Sequence, residues 1–151
     1  MKLTAKQLNR FLIVKLPSAY LCGVRVDLLD QDTCKTVVKY KWMNQNPFKS
    51  IYFAVLAMAA ELSTGALVLK KTSETDVKFS TLVIGMNANF YKKAVGRITF
   101  TCENERLDEY VGTAIQTQEG TAFSMSTTGV DELGDAVAVF EFQWSIKIKT
   151  T

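Results

Sequence analysis

One carboxylate interrupts a long apolar stretch of the chain. Glu61 follows ten consecutive apolar residues, 51–60. Because a carboxylate is seldom buried unless a partner compensates its charge, three interpretations are open. Glu61 can be a functional base in a partly dry cleft, where desolvation raises its basicity. It can instead be a structural residue that pairs with a lysine or with helix-end amides, or a side chain that simply reaches solvent.

The composition excludes several kinds of catalytic and metal site in which Glu61 could take part. The 151 residues include no histidine, which excludes Ser-His-Asp triads, Cys-His pairs and His-ligated zinc. The three cysteines, Cys22, Cys34 and Cys102, form no CxxC motif, so we expect no metal site. An odd number of cysteines also argues against a disulfide framework and favours reduced thiols in a cytoplasm, so we expect a cytoplasmic protein.

Charge and hydropathy argue against nucleic-acid and membrane partners. The formal net charge is only +3, and the basic residues are scattered along the chain without an RNP-like aromatic run. Residues 51–69 have nearly the length of a membrane span, but Glu61 lies at their centre, where a carboxylate is costly. We therefore expect a helix that protein buries on all sides, and neither a nucleic-acid nor a membrane partner.

Helices that could position Glu61 are predicted from caps and periodicity. The chain suits one domain over residues 1–151, without linkers or repeats. Asn46 or Ser50 could cap the long apolar helix, and Pro47 suits its first position. Three helices are predicted, over residues 4–15, about 48–69 and 105–119.

Six further segments alternate between apolar and polar residues with a period of two, which predicts β-strands. We expect the first strand to pair with the second, the third with the fourth and the fifth with the sixth, with Gly85 at a bulge. One-sided alternation predicts a half-buried antiparallel sheet with the apolar helix in its concavity. The predicted class is α+β: a hotdog fold, in which a curved six-stranded sheet wraps around a central helix. The strands are expected over residues 22–30, 33–43, 77–90, 95–104, 121–130 and 135–149.

Three local patterns together resemble a known family of enzymes. They are the interval from Asn46 to Glu61, the run Glu61-Leu62-Ser63-Thr64-Gly65, and the run Phe90-Tyr91-Lys92-Lys93-Ala94-Val95-Gly96-Arg97. Over about residues 18–149 the chain resembles hotdog-fold thioesterases of the phenylacetate-pathway and 4-hydroxybenzoyl-CoA type, and more closely an uncharacterised branch of them. The resemblance implies hydrolysis of an acyl-CoA or similar thioester, with coenzyme A as part of the substrate and no separate cofactor.

The resemblance also implies roles for individual residues. In that family an acidic residue on the central helix is the nucleophile or general base, and Glu61 matches it. An Asn fifteen residues earlier, matched by Asn46, holds the thioester or the water, although Asn46 could be only a helix cap. A His-Gly pair opens the helix, and its Gly amide polarises the thioester carbonyl. Tyr52 and Phe53 occupy those positions here, so a bulky residue replaces the glycine through which the backbone approaches the substrate. Tyr52 could donate its hydroxyl or only pack in the core. The departure favours an alternative function, a non-catalytic dimer that binds acyl groups or acyl-CoA.

Four further residues could help to orient the catalytic groups or to bind the substrate. Thr64, three residues past Glu61 and on the same side of the helix, could orient the carboxylate or a water, or it could only pack the helix. Lys92, Lys93 and Arg97 could bind the phosphates of coenzyme A, or they could form a solvated strand end.

Helix geometry adds a requirement for two subunits. Phe53 and Glu61 are eight residues apart, which is about 12 Å along a helix axis. One thioester carbon cannot touch both. If the helix start polarises the carbonyl and Glu61 attacks or activates water, the two must therefore come from different subunits. Antiparallel central helices in a homodimer would arrange this, with the helix dipole stabilising the oxyanion. We therefore expect a homodimer, or a tetramer built from it, with composite sites.

Overall fold

The computed structural model describes residues 3–149. Within them, four α-helices, one short 3-10 helix at Trp42–Asn44 and six strands follow one another along the chain. The helices are α1 (Ala5–Lys15), α2 (Pro17–Leu21), α3 (Phe53–Ser73) and α4 (Leu107–Thr117). The strands are β1 (Arg25–Leu29), β2 (Thr33–Lys39), β3 (Phe79–Phe90), β4 (Arg97–Glu103), β5 (Thr121–Val130) and β6 (Ala136–Ile148).

The first helix begins where its sequence predicts, because Thr4 and Gln7 form a reciprocal capping box. Thr4 Oγ1 accepts the Gln7 N–H at 3.3 Å, and Gln7 Oε1 accepts the Thr4 N–H at 3.0 Å. Leu8 and Leu12 form the face that α1 buries against the core. The helix ends two residues before Pro17, which then occupies the first turn of α2.

The six strands form one antiparallel sheet in the order β1-β2-β4-β5-β6-β3. The hairpins β1–β2 and β5–β6 confirm two of the predicted pairings, and a register shift next to Gly85 confirms the bulge in β3. The predicted pairing of the third strand with the fourth is wrong. Strand β3 pairs with β6 at the edge of the sheet, and β4 lies between β2 and β5. Strand β6, with 13 residues, is long enough to pair with the backbone N–H and C=O groups of the 12-residue β3, whereas β4 has only 7 residues.

The long helix α3 lies in the concavity of this sheet and packs against five of its strands. Small side chains allow the close approach: Thr36 on β2 donates its hydroxyl to the Ala59 carbonyl at 2.6 Å, and the hydroxyls of Ser63 and Thr127 are hydrogen-bonded at 2.8 Å. Among residues 3–149, α3 is the one helix long and apolar enough to cross a membrane, and here it is the buried core helix. A curved antiparallel sheet around a buried helix is the hotdog fold, as the sequence predicts.

The start of α3 differs from the prediction, because the helix spans Phe53–Ser73 rather than about 48–69. The predicted caps at Asn46 and Ser50 are wrong, since the residues between them form a tight loop. Asn46 Oδ1 accepts two backbone N–H groups of this loop, at 2.9 and 3.2 Å. Lys49 has φ of 58°, a left-handed conformation that a right-handed helix cannot contain.

The second strand ends four residues earlier than predicted, because Asn44 turns the chain. Its amide group donates to the carbonyls of Cys22 and Lys39, both at 2.9 Å, and its Oδ1 accepts the Lys41 N–H at 2.9 Å. The turn places Trp42 on the surface with 79% of the residue exposed.

Candidate active site

Glu61 lies on the third turn of α3 and lines a cavity of about 330 Å³. Helix α1 contributes Leu8 and Phe11 to this cavity, β3 contributes residues 81–83, and β6 contributes Trp144. Because the other lining side chains are almost all apolar, the carboxylate of Glu61 faces a surface suited to a hydrocarbon group. We call this space the Glu61 cavity.

The carboxylate of Glu61 has no counter-ion in the part of the chain that the structure describes. Among residues 3–149, no lysine or arginine forms an ion pair with it. Burial alone raises the pKa of Glu61 above the ordinary value of a glutamate, with no compensating hydrogen bond or charge. A carboxylate with a raised pKa is a stronger base than an ordinary one. The arrangement therefore lacks the ion pair expected of a structural glutamate and leaves a basic carboxylate at the wall of an apolar cavity.

Thr64 is close to Glu61 but contacts its backbone. Its hydroxyl donates to the Glu61 carbonyl at 2.9 Å and accepts the indole N–H of Trp144 at 3.0 Å. Thr64 is fully buried, so this hydroxyl has both of its partners inside the protein. The hydroxyl is not hydrogen-bonded to the carboxylate, which was one of the roles that the sequence leaves open for Thr64. Sequence reasoning overlooked Trp144 as part of the site, because its place on the apolar face of β6 predicts only core packing.

A second cavity, of about 410 Å³, lies at the start of α3. It brings together five of the predicted site residues: Asn46, Tyr52, Phe53, Lys92 and Lys93. The first N–H groups of α3 point out of the helix here, since they have no acceptor inside it. Together with the positive end of the helix dipole they can stabilise a negatively charged oxygen. We call this space the helix-start cavity.

Aromatic rings form one wall of the helix-start cavity. The Phe53 ring stands edge-on to the rings of Tyr52 and Phe90, with centroid distances of 5.0 and 6.4 Å. Tyr52 and Phe53 are each about half exposed, at 47% and 55%. Tyr52 is therefore not a core residue, and Phe53 covers the first turn of the helix without closing the cavity.

The three predicted phosphate-binding cations already have protein partners. Lys92 Nζ lies 2.6 Å from Asp131 and 2.7 Å from Asp135, and hydrogen bonds to the two carboxylates raise the pKa of Lys92. Lys93 Nζ donates to the Phe48 carbonyl at 3.3 Å. Arg97 lies outside the cavity, 3.5 Å from a carboxylate oxygen of Asp27. A phosphate would have to compete with these partners, so phosphate binding by the three residues stays a prediction.

The cysteines offer no competing nucleophile in the core. Cys34 and Cys102 face each other across β2 and β4 and are buried. Burial raises the pKa of both thiols to about 12, so they are protonated at neutral pH. Among residues 3–149, no group of three acidic or cysteine side chains is arranged to hold a metal ion.

The two cavities are separate within one protomer. No residue lines both of them, and Phe53 and Glu61 are two turns of helix apart. Both cavities nevertheless border the same edge strand. Residues 81–83 near the start of β3 line the Glu61 cavity, and Phe90 at its end lines the helix-start cavity.

Solved structures share this fold over nearly the whole chain. Protein PA5026 from Pseudomonas aeruginosa, described as a "Probable Thioesterase", aligns with a TM-score of 0.80 at 23% identity, over 95% of this chain and 96% of its own. The protein OLEI01261 from Chlorobaculum tepidum, of unknown function, aligns with a TM-score of 0.83 at 19% identity, over 98% and 99%. Thioesterase HI1161 from Haemophilus influenzae aligns with a TM-score of 0.73 at 12% identity, over 98% and 93%. At these identities the likeness establishes the fold, and the thioesterase names belong to those proteins.

A family profile also matches this chain. The family is described as "Domain of unknown function (DUF4442)", and the match covers residues 4–146. No curated protein matches the chain.

Proposed function

Because the chain belongs to the DUF4442 family, whose description assigns no reaction, we propose its function from the site: it is a thioester hydrolase in which Glu61 is the general base. The observation that carries this proposal is the carboxylate without a counter-ion on the wall of an apolar cavity. The thioesterase names of proteins with the same fold support it.

The reaction follows from the two cavities. The ionised carboxylate of Glu61 takes a proton from a water molecule, and the hydroxyl oxygen adds to the thioester carbonyl carbon. The helix-start N–H groups stabilise the resulting oxyanion. When the oxyanion collapses, the carbon–sulfur bond breaks and the thiolate leaves, taking the proton from Glu61. The acyl group occupies the Glu61 cavity, and the coenzyme A phosphates lie near Lys92 and Lys93.

Composite sites require a dimer, and the edge strand β3 supports one. Unpaired N–H and C=O groups at a sheet edge are a template for another strand. Leu82, Ile84 and Met86 on β3 are all more than half exposed. At the opposite edge, Asn9 on α1 hydrogen-bonds the N–H and the C=O of Val26, both at 2.8 Å, and so occupies β1.

Antiparallel pairing of two β3 strands would also join the two cavities. With the two-fold axis near Met86, residues equally distant from it in sequence lie opposite each other. Allowing for the one-residue bulge next to Gly85, Leu82 then lies within one residue of the position opposite the partner's Phe90, so the Glu61 cavity of one protomer meets the helix-start cavity of the other. In this proposal every site uses Glu61 from one subunit and the start of α3 from its partner.

Turnover of acyl-CoA esters tests the function. We expect the wild type to release free thiol from at least one ester in a panel of short, medium and aromatic acyl-CoAs. Glu61→Gln should lower kcat by about 100-fold or more, because it removes the base. Glu119→Gln, at an exposed glutamate, is the matched control and should have no effect. Turnover that survives Glu61→Gln would exclude this mechanism.

Phe53 allows a direct test of the helix-start amide. Phe53 is the first residue of α3, where proline is tolerated, and Tyr52 before it has extended angles that proline accepts. Phe53→Pro should lower kcat by about 100-fold, because it removes the N–H group that stabilises the oxyanion. Phe53→Ala removes the same ring but keeps the N–H, so a much smaller effect is expected.

Mixed dimers test whether the site is composite. Glu61→Gln and Phe53→Pro homodimers should each be inactive, whereas random mixing should restore about one quarter of the wild-type activity, because half of the dimers then hold one intact site. No recovery on mixing would place both groups in one subunit. Met86→Cys should cross-link two protomers on oxidation, while Leu28→Cys on β1 should not.

A second function is favoured by Phe53, whose bulky side chain lies where related enzymes have glycine. It is the non-catalytic binding of acyl groups or acyl-CoA by the same dimer. Measurable binding of acyl-CoA without turnover of any ester would favour it. The three free cysteines suit a cytoplasm in either case, and we propose that location.

A further inference from the structure

A hydrogen-bonded chain connects Trp144 to the backbone of Glu61. The indole N–H donates to Thr64 Oγ1 at 3.0 Å, and the Thr64 hydroxyl donates to the Glu61 carbonyl at 2.9 Å. Trp144 is 6% exposed, and Thr64 is fully buried. Because the two hydrogen bonds fix the N–H edge of the indole, they also fix the position of its six-membered ring in the Glu61 cavity.

Gly65 provides the space in which the carboxylate and the indole meet. A Cβ atom at position 65 would lie 3.0 Å from Glu61 Oε1, 3.1 Å from Trp144 Cη2 and 3.2 Å from Trp144 Cζ2. A carboxylate oxygen and the indole ring therefore flank the same bare patch of helix backbone. The φ angle of Gly65 is ordinary, so its missing side chain, rather than its conformation, matters here.

We propose that Trp144 is a positioning residue for Glu61: its ring, held through Thr64, is the wall that keeps the carboxylate oxygen over Gly65 and keeps water from that side of it. This inference rests on the proposed function, because it gives the base of that reaction its position. In this proposal Thr64 holds the indole and acts on the carboxylate only through it.

No other charge around Glu61 offers an alternative explanation. The residues that line its cavity come from α1, α3, β3, β6 and Leu16 after α1, and Glu61 is the only titratable or charged group among them. The surroundings of the carboxylate are therefore set by apolar side chains, Thr81, and the indole of Trp144. A substitution at Trp144 should therefore act on Glu61 by changing its solvation and not by changing the charges around it.

Indole fluorescence tests this coupling without an assay for the reaction. The chain has two tryptophans, and Trp42 is exposed, so Trp42→Phe leaves Trp144 as the only tryptophan, which can be excited selectively over the tyrosines. The emission of this variant should titrate with a midpoint above about 4.3, the ordinary value for glutamate. The same titration should vanish when Glu61→Gln is added, while Glu119→Gln should leave it unchanged. Emission that is indifferent to pH, or equal with and without Glu61, would overturn the proposal.

Enzyme kinetics provide the second measurement. Trp144→Phe keeps an aromatic ring but loses the N–H, and Thr64→Val keeps the shape but loses the acceptor of that N–H. Each should lower kcat by about 10-fold with little change in KM, because each loosens the position of the base. The acid limb of the pH profile of kcat/KM should move to lower pH, since water then reaches the carboxylate. Gly65→Ala should lower kcat as well, because the new methyl group displaces Oε1 or the ring.

The two measurements separate failure of the inference from failure of the proposed function. If no ester is hydrolysed but the emission titrates with Glu61, the inference holds and the reaction is wrong. If turnover depends on Glu61 while Trp144→Phe and Thr64→Val leave kcat and the pH profile unchanged, the inference is wrong and the reaction stands. If Trp144→Phe does not fold, the Thr64→Val variant and the fluorescence titration still test the inference.

Discussion

Two ionisable side chains of helix α3, Lys71 and Glu61, are shielded from water but have opposite surroundings. Lys71, in the last turn, has 1% of its side chain exposed and places Nζ 2.7 Å from Asp108 and 3.1 Å from Asp32. The negative end of the helix dipole adds to these two partners. Glu61 lies ten residues earlier, and within residues 3–149 its carboxylate has neither a counter-ion nor a hydrogen bond, so burial alone raises its pKa.

Lys71 and Glu61 therefore differ in what their charges do: the charge of Lys71 is paired within the fold, and the charge of Glu61 is not. The two partners of Lys71 come from the β1–β2 turn and from α4, so the ion cluster fastens the end of α3 to both neighbours. The same contacts explain why α3 continues to Ser73, past the end predicted from the sequence. An ionised Glu61, in contrast, gains nothing from its surroundings. Because its desolvation is unfavourable and uncompensated, Glu61 is a candidate for a catalytic role.

The largest effect should come from removing both partners of Lys71. The double variant Asp32→Asn/Asp108→Asn leaves a buried ammonium group without a counter-ion. We expect it to lower the free energy of unfolding by about 1–3 kcal/mol, because the buried ammonium group loses both charged partners, although these carboxylates are themselves exposed. Urea unfolding at one protein concentration would measure this. A double variant as stable as the wild type would mean that Lys71 reaches water and that the comparison fails.

A smaller effect, of opposite sign, is expected at Glu61. Because burial raises its pKa, the folded protein binds this proton more tightly than the unfolded chain. The corresponding stability is fully present below the unfolded pKa of about 4.3 and is lost as the pH rises through the higher native value. Glu61→Gln stays neutral, so its free energy of unfolding should equal that of the wild type at about pH 4 and exceed it at about pH 8. A variant less stable than the wild type at high pH would show that ionised Glu61 has a stabilising partner.

The smallest effect is expected at the exposed cluster of Lys92, Asp131 and Asp135. Exposed ion pairs contribute little to stability, so Asp135→Asn should not measurably change urea unfolding. If Lys92 binds the phosphates of coenzyme A, the variant should lower KM for acyl-CoA, because one competing carboxylate is gone. The effect should weaken at high salt. An unchanged KM would remove Lys92 from the substrate-binding surface.

Sequence reasoning located the central helix, the six strands and Glu61, because each depends on local periodicity or on one conspicuous charge. It misplaced the start of α3, since Asn46 is as good a turn residue as it is a cap, and its loop is fixed by hydrogen bonds that a helix pattern does not contain. The pairing of β3 with β6 depends on contacts distant in sequence. Gly65 stands in the quoted run Glu61-Leu62-Ser63-Thr64-Gly65, but a helix pattern does not show that its missing side chain makes room for the carboxylate and the indole.

Carbon-13 NMR of glutamate carboxyl carbons tests the central claim most directly. The Glu61 resonance can be assigned because it disappears in Glu61→Gln, and its chemical shift follows the ionisation of this one side chain. We expect a midpoint above the ordinary glutamate value of about 4.3 that coincides with the acid limb of kcat/KM. A midpoint at or below the ordinary value would show that Glu61 is solvated or paired in solution, and would contradict a partly buried base without a counter-ion.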